Sequence, residues 1–174
     1  LMQGIKDVGG TFEVISIPEN SMINLNKPLF WQGDEARTSL AMQLFALTGG
    51  YQNQSPYDAL FNMTDPDGQL TSRLDVVSDV IDWWDEDEQS SGHEDDIYSR
   101  FPEPYRVKNA PYDSLEELRL VRGFTDDFWS TFVEPDPDDP RSRQVTVYGS
   151  GAVNPNESRP EVLWSRVCSF VSTQ

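Results

Sequence analysis

The chain has 174 residues, of which 30 are acidic and 13 are Lys or Arg, giving a formal net charge of −17. That balance excludes a nucleic acid, whose phosphates need a basic face, and equally an anionic membrane surface. With 37% hydrophobic and 11% aromatic residues the chain can still build a core, and its length suits one domain, or one small domain with a companion piece. The sequence has no transmembrane run and no signal peptide. It begins at Leu1 rather than Met, so a natural N-terminus, with any anchor or export signal, is expected upstream. The single cysteine, Cys168, reads as a buried thiol or as half of a pair completed beyond Gln174.

Thr11–Ile17 is β-rich, Pro18–Ser21 is a turn and Met22–Asn26 follows, which predicts a strand pair. The period then changes. Asp34 can cap a helix with Ala36, Leu40, Leu44 and Leu47 on one face, stopped by Gly49 and Gly50. Residues 51–70 are turn-rich, with a short helix around Ala59–Phe61. Ser72 and Asp75 form a capping box for a helix carrying Leu74, Val77, Val80, Ile81 and Trp84 at helical spacing. Residues 101–113 hold Pro102, Pro104 and Pro111 and are expected to be extended.

Ser114 and Glu117 form a second capping box, for a helix with Leu115, Leu118 and Val121 inward and its end at Gly123. Thr125 opens another helix, with Phe128, Trp129, Phe132 and Val133 buried. The span Leu118–Thr125 looks like a helix-hairpin-helix turn. Glu116, Glu117, Asp126 and Asp127 flank it, so it reads as packing rather than phosphate binding. Glu134–Pro140 is an acidic, Pro-rich surface loop or linker, and Gln144–Tyr148 alternates like a strand. Ser158, Pro160 and Glu161 open a last helix holding Val162, Leu163 and Val167. Ile23–Asn26 and Val153–Asn156 echo one another, each between a strand-like run and a helix. Turn chemistry accounts for their Asn residues at least as well as a ligand role.

Residues 81–100 carry the most information. Two carboxylate clusters, Asp82 to Glu88 and Glu94 to Asp96, flank Ser90-Ser91-Gly92, and no Lys or Arg lies between Asp82 and Asp96. Such runs are usually solvated loops. Two features favour a hard cation here. Trp83, Trp84, Ile97 and Tyr98 are of a kind that buries, which would hold the carboxylates on a framework. The acids also follow the C-terminal end of a helix, where they oppose its dipole. Oxygen donors with one histidine and no clustered cysteine suit Ca²⁺ rather than zinc or copper. The segment is not an EF-hand, because counting from Asp85 and Asp87 puts Gln89 and Ser90 where that loop needs an acid and Gly.

Catalysis finds little support. A Ser-His-Asp site would need His93, the only histidine, and a Cys-His pair would need His93 with Cys168; neither has a supporting signature. There is no Gly-rich phosphate loop. A carboxylate pair acting as acid and base is uninformative among 30 acids.

In combination, Ile23–Asn26, Val80–Asp87, Gly92–Tyr98, Pro104–Asn109, Ser114–Gly123, Val153–Asn156 and Pro160–Leu163 resemble, in order, the minor pseudopilin K family of bacterial type II secretion systems (general secretion pathway protein K). Pro155 stands where that family has an aliphatic residue. The resemblance implies an α+β fold with a pilin-like β portion and a large inserted, mainly α-helical domain of helix-hairpin-helix, SAM-like helices. On that basis residues 1–28 are the β-strand part, 29–143 the insertion with its acidic calcium loop, and 144–174 the returning strand and final helix, with closing strands expected beyond Gln174.

It also implies a non-enzymatic, calcium-stabilised subunit at the tip of the periplasmic pseudopilus, bound to minor pseudopilins I and J, with exported substrate proteins as further candidate partners. The full-length protein would be anchored in the bacterial inner membrane by an N-terminal hydrophobic helix that these residues lack. The family's calcium region maps onto Asp82, Asp85, Asp87, Glu94, Asp95 and Asp96 as a set, for one or two structural ions, while Glu86 and Glu88 can face water. Trp31, Trp129 and Trp164 are candidates for a partner interface, although the core is the commoner place for any one of them. The rival readings are a calcium-stabilised surface adhesin or binding module and, less favoured, a carboxylate-based hydrolase.

Overall fold

The computed structural model describes residues 13–27, 33–64, 68, 70–85 and 95–172, the side chains of Leu70, Asp95, Asp96 and Ser172 excepted. In chain order, a 3₁₀ turn at Glu19–Ser21 leads into strand β1 (Ile23–Asn24), helix α1 (Asp34–Leu47), a 3₁₀ turn at Asp58–Phe61, strands β2 (Met63–Thr64) and β3 (Leu70–Thr71), and helix α2 (Arg73–Trp84). The one-turn helix α3 (Asp95–Tyr98) and a 3₁₀ helix at Leu115–Leu120 come next. Short α4 (Asp126–Phe128) runs into a π turn at Trp129–Val133, and strand β4 (Val145–Thr146) and helix α5 (Pro160–Ser172) follow. The class is α+β, as the sequence implies, and helix dominates.

The expected pairing of 11–17 with 22–26 does not form among the described residues. β1 pairs in parallel with β4, Ile23 beside Val145 and Asn24 beside Thr146, with the Ile23 and Leu25 amides donating to the Gln144 and Thr146 carbonyls. Burial decides between these partners. Met22, Ile23 and Leu25 are buried, whereas residues 13–16 are exposed, and Pro18 interrupts the run. β2 and β3 form a separate antiparallel pair.

Asp34 is the first residue of α1 rather than its cap. Gly33, at φ +57°, holds that position and Asp34 forms an ion pair with Arg37. The helix stops where expected: the Thr48 hydroxyl donates to the Leu44 carbonyl at 2.9 Å, and Gly49 takes φ +82°. The α2 capping box forms in full, Ser72 N–H to Asp75 Oδ2 at 2.7 Å and Asp75 N–H to Ser72 Oγ at 3.2 Å. Its buried face is Val76, Val77, Val80, Ile81 and Trp83. Leu74, expected inward, is exposed.

The segment from Ser114 winds as a 3₁₀ helix, whose three-residue turn keeps Leu115 and Leu118 on one buried side. The following reversal is a packing device. A Cβ on Gly123, at φ +74°, would lie 2.8 Å from Val76 Cγ2 and 2.9 Å from Thr71 Cγ2. Trp129, expected to be buried, is half-buried with the Arg119 guanidinium 4.2 Å from its ring centre.

α5 departs most from expectation. Val162 is buried, but Val167 is 53% exposed and Trp164 52%. The face turned inward carries Ser165, Arg166, Cys168 and Ser169, and its main neighbour is α1, where Ala36, Ser39, Gln43 and Ala46 are buried. Small side chains let the two backbones approach, and the large apolar groups of α5 point away. The Cys168 thiol is buried, which pushes its pKa up. Among the described residues no helix is long and apolar enough to cross a membrane.

One hydrophobic cluster runs from Ile23 and Leu25 through α1, α2 and the 115–133 region to Val145, Val147 and Val162. Asn side chains tie its edges. Asn26 Nδ2 donates to the Tyr112 and Val147 carbonyls, and its Oδ1 accepts from the Tyr112 amide. Asn24 Oδ1 accepts from the Asn26 and Lys27 amides. Asn154 Oδ1 accepts from the Asn156 amide. The repeated Asn motif is turn chemistry.

Candidate functional site

The acidic segment is fastened at both roots. Before it, α2 buries Trp83; after it, Ile97 and Tyr98 are buried. The Trp83 and Tyr98 rings meet edge-on with centres 6.0 Å apart, and Phe101 and Tyr105 complete the cluster. Tyr98 is held further by its hydroxyl, which accepts from the Arg122 amide at 3.1 Å. Burial raises the Tyr98 pKa far above the ordinary range, so it is a neutral core residue. Bulky residues flanking the acids do serve as a framework.

Polar groups around Trp83 extend it. Trp83 Nε1 donates to Glu117 at 3.2 Å, and Glu117 also accepts from Lys108 Nζ at 2.9 Å and from the Asp113 amide at 2.8 Å. Burial alone would raise the Glu117 pKa. Lys108, the Asp113 amide and Trp83 outweigh it and hold the carboxyl below its usual value.

Asp82 and Asp85 lie at the C-terminal end of α2, 3% and 6% exposed, Asp85 as the C-cap. With Asp79, 1% exposed, they form a series of buried carboxylates at three-residue spacing. Two arginines reach it from other elements. Arg122, from the 120s reversal, places Nη1 3.3 Å from Asp79 Oδ2. Arg37, from α1, places Nη1 3.0 Å from Asp85 Oδ2. Sequence reading found Asp82 and Asp85 but missed Asp79, Arg122 and Arg37. The available signal was the 79–82–85 spacing on an otherwise apolar helix.

Asp87 and Glu94 lie outside the described residues, as does His93. Asp95 and Asp96 open α3, with only their backbone described. Among the described residues no three His, Cys, Asp or Glu side chains converge in a metal-holding group. The donor chemistry of Asp82 and Asp85 fits a hard cation. Both are buried oxygen donors at a negative helix end, and a cation, the Arg37 guanidinium, already stands against one of them.

The fold is of the α+β class. A chain of the crystal structure of the GspK-GspI-GspJ complex from the enterotoxigenic Escherichia coli type 2 secretion system matches 86% of this chain, with a TM-score of 0.57 and 17% identity, over 47% of its own length. The chain belongs to the family described as type II secretion system (T2SS), protein K, whose profile matches residues 21–132. The type II secretion system protein K of Pectobacterium carotovorum subsp. carotovorum is 33% identical over 108 residues, which is 56% of this chain and 32% of that protein. The chain thus spans less than half the length of either relative. The family points away from enzymatic activity.

Proposed function

We propose that the chain is part of a minor pseudopilin K, a non-enzymatic structural component at the tip of the periplasmic pseudopilus of a type II secretion system, binding minor pseudopilins I and J. The observation that carries this reading is the family match over residues 21–132. The similar fold of a chain solved in a GspK-GspI-GspJ complex supports the choice of partners. The parallel pairing of β1 with β4 closes the chain on either side of the 29–143 segment, which supports a helical domain inserted into a pilin-like β portion. A domain of that bulk would sit at a filament's end rather than be stacked within it. In the full-length protein an N-terminal hydrophobic helix would anchor it to the inner membrane.

Calcium is the second part of the proposal. Asp82, Asp85, Asp87, Glu94, Asp95 and Asp96 would hold it as a set, and the ion would supply positive charge against their mutual repulsion and the α2 dipole. The burial of Asp82 and Asp85, and the aromatic clamp on the segment's roots, support this. In co-expression with the soluble domains of pseudopilins I and J, the chain should co-elute as a complex on size exclusion. Elution of this chain alone, with I and J folded and in excess, would refute the partner assignment.

A further inference from the structure

We propose that the outward face of α5 is a seam between two parts of one polypeptide, covered in the complete protein by residues of the same chain outside these 174. This rests on the reading of the chain as part of a protein K. Along α5, Trp164, Val167 and Val171 follow one another at helical spacing and are 52%, 53% and 73% exposed. The inward face is the more polar one: Ser165, Arg166 and Ser169 are buried there with Val162 and Cys168. A helix that met only water on its outer side would be built the other way round. Nor is α5 free to roll over. Val162 sits in the main core, and Arg166 Nη2 donates to the Gly151 carbonyl at 2.9 Å, tying the inward face to the preceding loop.

Charge and area select the occupant. The ionisable side chains of α5 lie off the stripe: Glu161 is in the first turn beside Arg159, and Arg166 and Cys168 face inward. An uncharged apolar stripe suits an apolar surface, and two copies meeting there would bring together chains of net charge −17. Three side chains at these exposures present roughly 300 Å², well below the ~800 Å² per partner of a stable complex between separate proteins. A segment tethered to the same polypeptide is at high effective concentration and needs far less contact to stay in place. Protein K chains hold such residues: this chain covers 47% of the solved chain, and its aligned part covers 32% of the Pectobacterium carotovorum protein.

The test places a thiol on the stripe with Val167→Cys, in a Cys168→Ala background so that one thiol reacts. Maleimide labelling under native conditions is timed in the 174-residue chain and in the complete protein encoded by the same gene. The 174-residue chain should label nearly as fast as in urea, and the complete protein about tenfold slower or more, as expected of a covered site. Val167→Asp should lower the melting temperature of the complete protein by several degrees and leave that of the 174-residue chain almost unchanged. The cysteine variant still reads the face if Val167→Asp prevents folding. Equally fast labelling in both chains overturns the proposal. So does slow labelling of the 174-residue chain with a dimer mass by light scattering, which assigns the face to a second copy. Slow labelling of the complete protein only after pseudopilins I and J are added overturns it in favour of those partners. A native protein whose intact mass is that of these residues alone overturns the protein K reading as well, whereas fast labelling of a longer native protein leaves that reading standing.

Discussion

Asp79 and Arg122 are 1% and 5% exposed, and their ion pair joins the middle of α2 to the reversal that follows the 3₁₀ helix. Two charges removed from water are tolerable only together, and removing one strands the other. Asp79→Leu should therefore cost about 3–5 kcal/mol in urea unfolding, with Arg122→Met recovering much of it in the double variant. Purely additive losses would show that the two groups do not couple. Glu117 acts differently. Its carboxyl is held below the usual glutamate range against the opposing effect of burial, by Lys108, the Asp113 amide and Trp83. A depressed carboxylate stabilises the fold above its unfolded pKa, and that stability is lost as pH falls through the folded pKa. Stability should thus fall with acidification from about pH 4.5 downward, and Glu117→Gln should flatten that slope while lowering stability at pH 7. An unchanged acid slope in Glu117→Gln would remove Glu117 from the set of acid-sensitive groups. Neither contact was legible in the sequence. Arg122 and Glu117 were visible only as parts of a hairpin and a cap, because spacing along a chain says nothing about partners 43 or 34 positions away.

Helices were legible where their signals were local. The Ser72–Asp75 box and the stop at Gly49 and Gly50 lie within one turn of what they control, and both formed. The strands were not, because β1 finds its partner across more than a hundred residues and no hairpin signal reports a parallel pair. α5 shows a subtler limit. Its apolar residues suit either of two faces, and the sequence favoured burying Val167; the structure buries the small-residue face against α1 instead. The consequence is a sharp contrast between two valines of one helix. Val162, fully buried, should cost about 2 kcal/mol on replacement by Ala, while Val167→Ala should stay within about 0.5 kcal/mol of wild type. Chemical denaturation of the monomer checks both. A Val167→Ala loss as large as that of Val162→Ala would mean that this face is covered in solution.

Of the acidic site, composition and the flanking aromatics made the framework legible, since Trp83 and Tyr98 had to go somewhere dry. The compensating arginines were not, being supplied by tertiary structure. At the scale of the whole molecule the same excess of acid acts without any site. A net charge of −17 repels itself, and any added salt relieves part of that, with a Debye length of about 10 Å at 0.1 M. Raising NaCl from low ionic strength to about 0.5 M should therefore lift the melting temperature modestly by screening the repulsion among exposed carboxylates. A bound ion adds a different effect. At about 100 times its dissociation constant it contributes about 2.7 kcal/mol, or several degrees, and it does so on a background where screening is already saturated. The decisive comparison is thermal unfolding in high NaCl with EDTA, with Mg²⁺ and with millimolar Ca²⁺. A further rise with Ca²⁺ that Mg²⁺ does not reproduce separates a site from a general field. If NaCl or Mg²⁺ reproduces the whole gain, Asp82 to Asp96 act only through their summed charge, and the protein K assignment stands on family and fold without a metal.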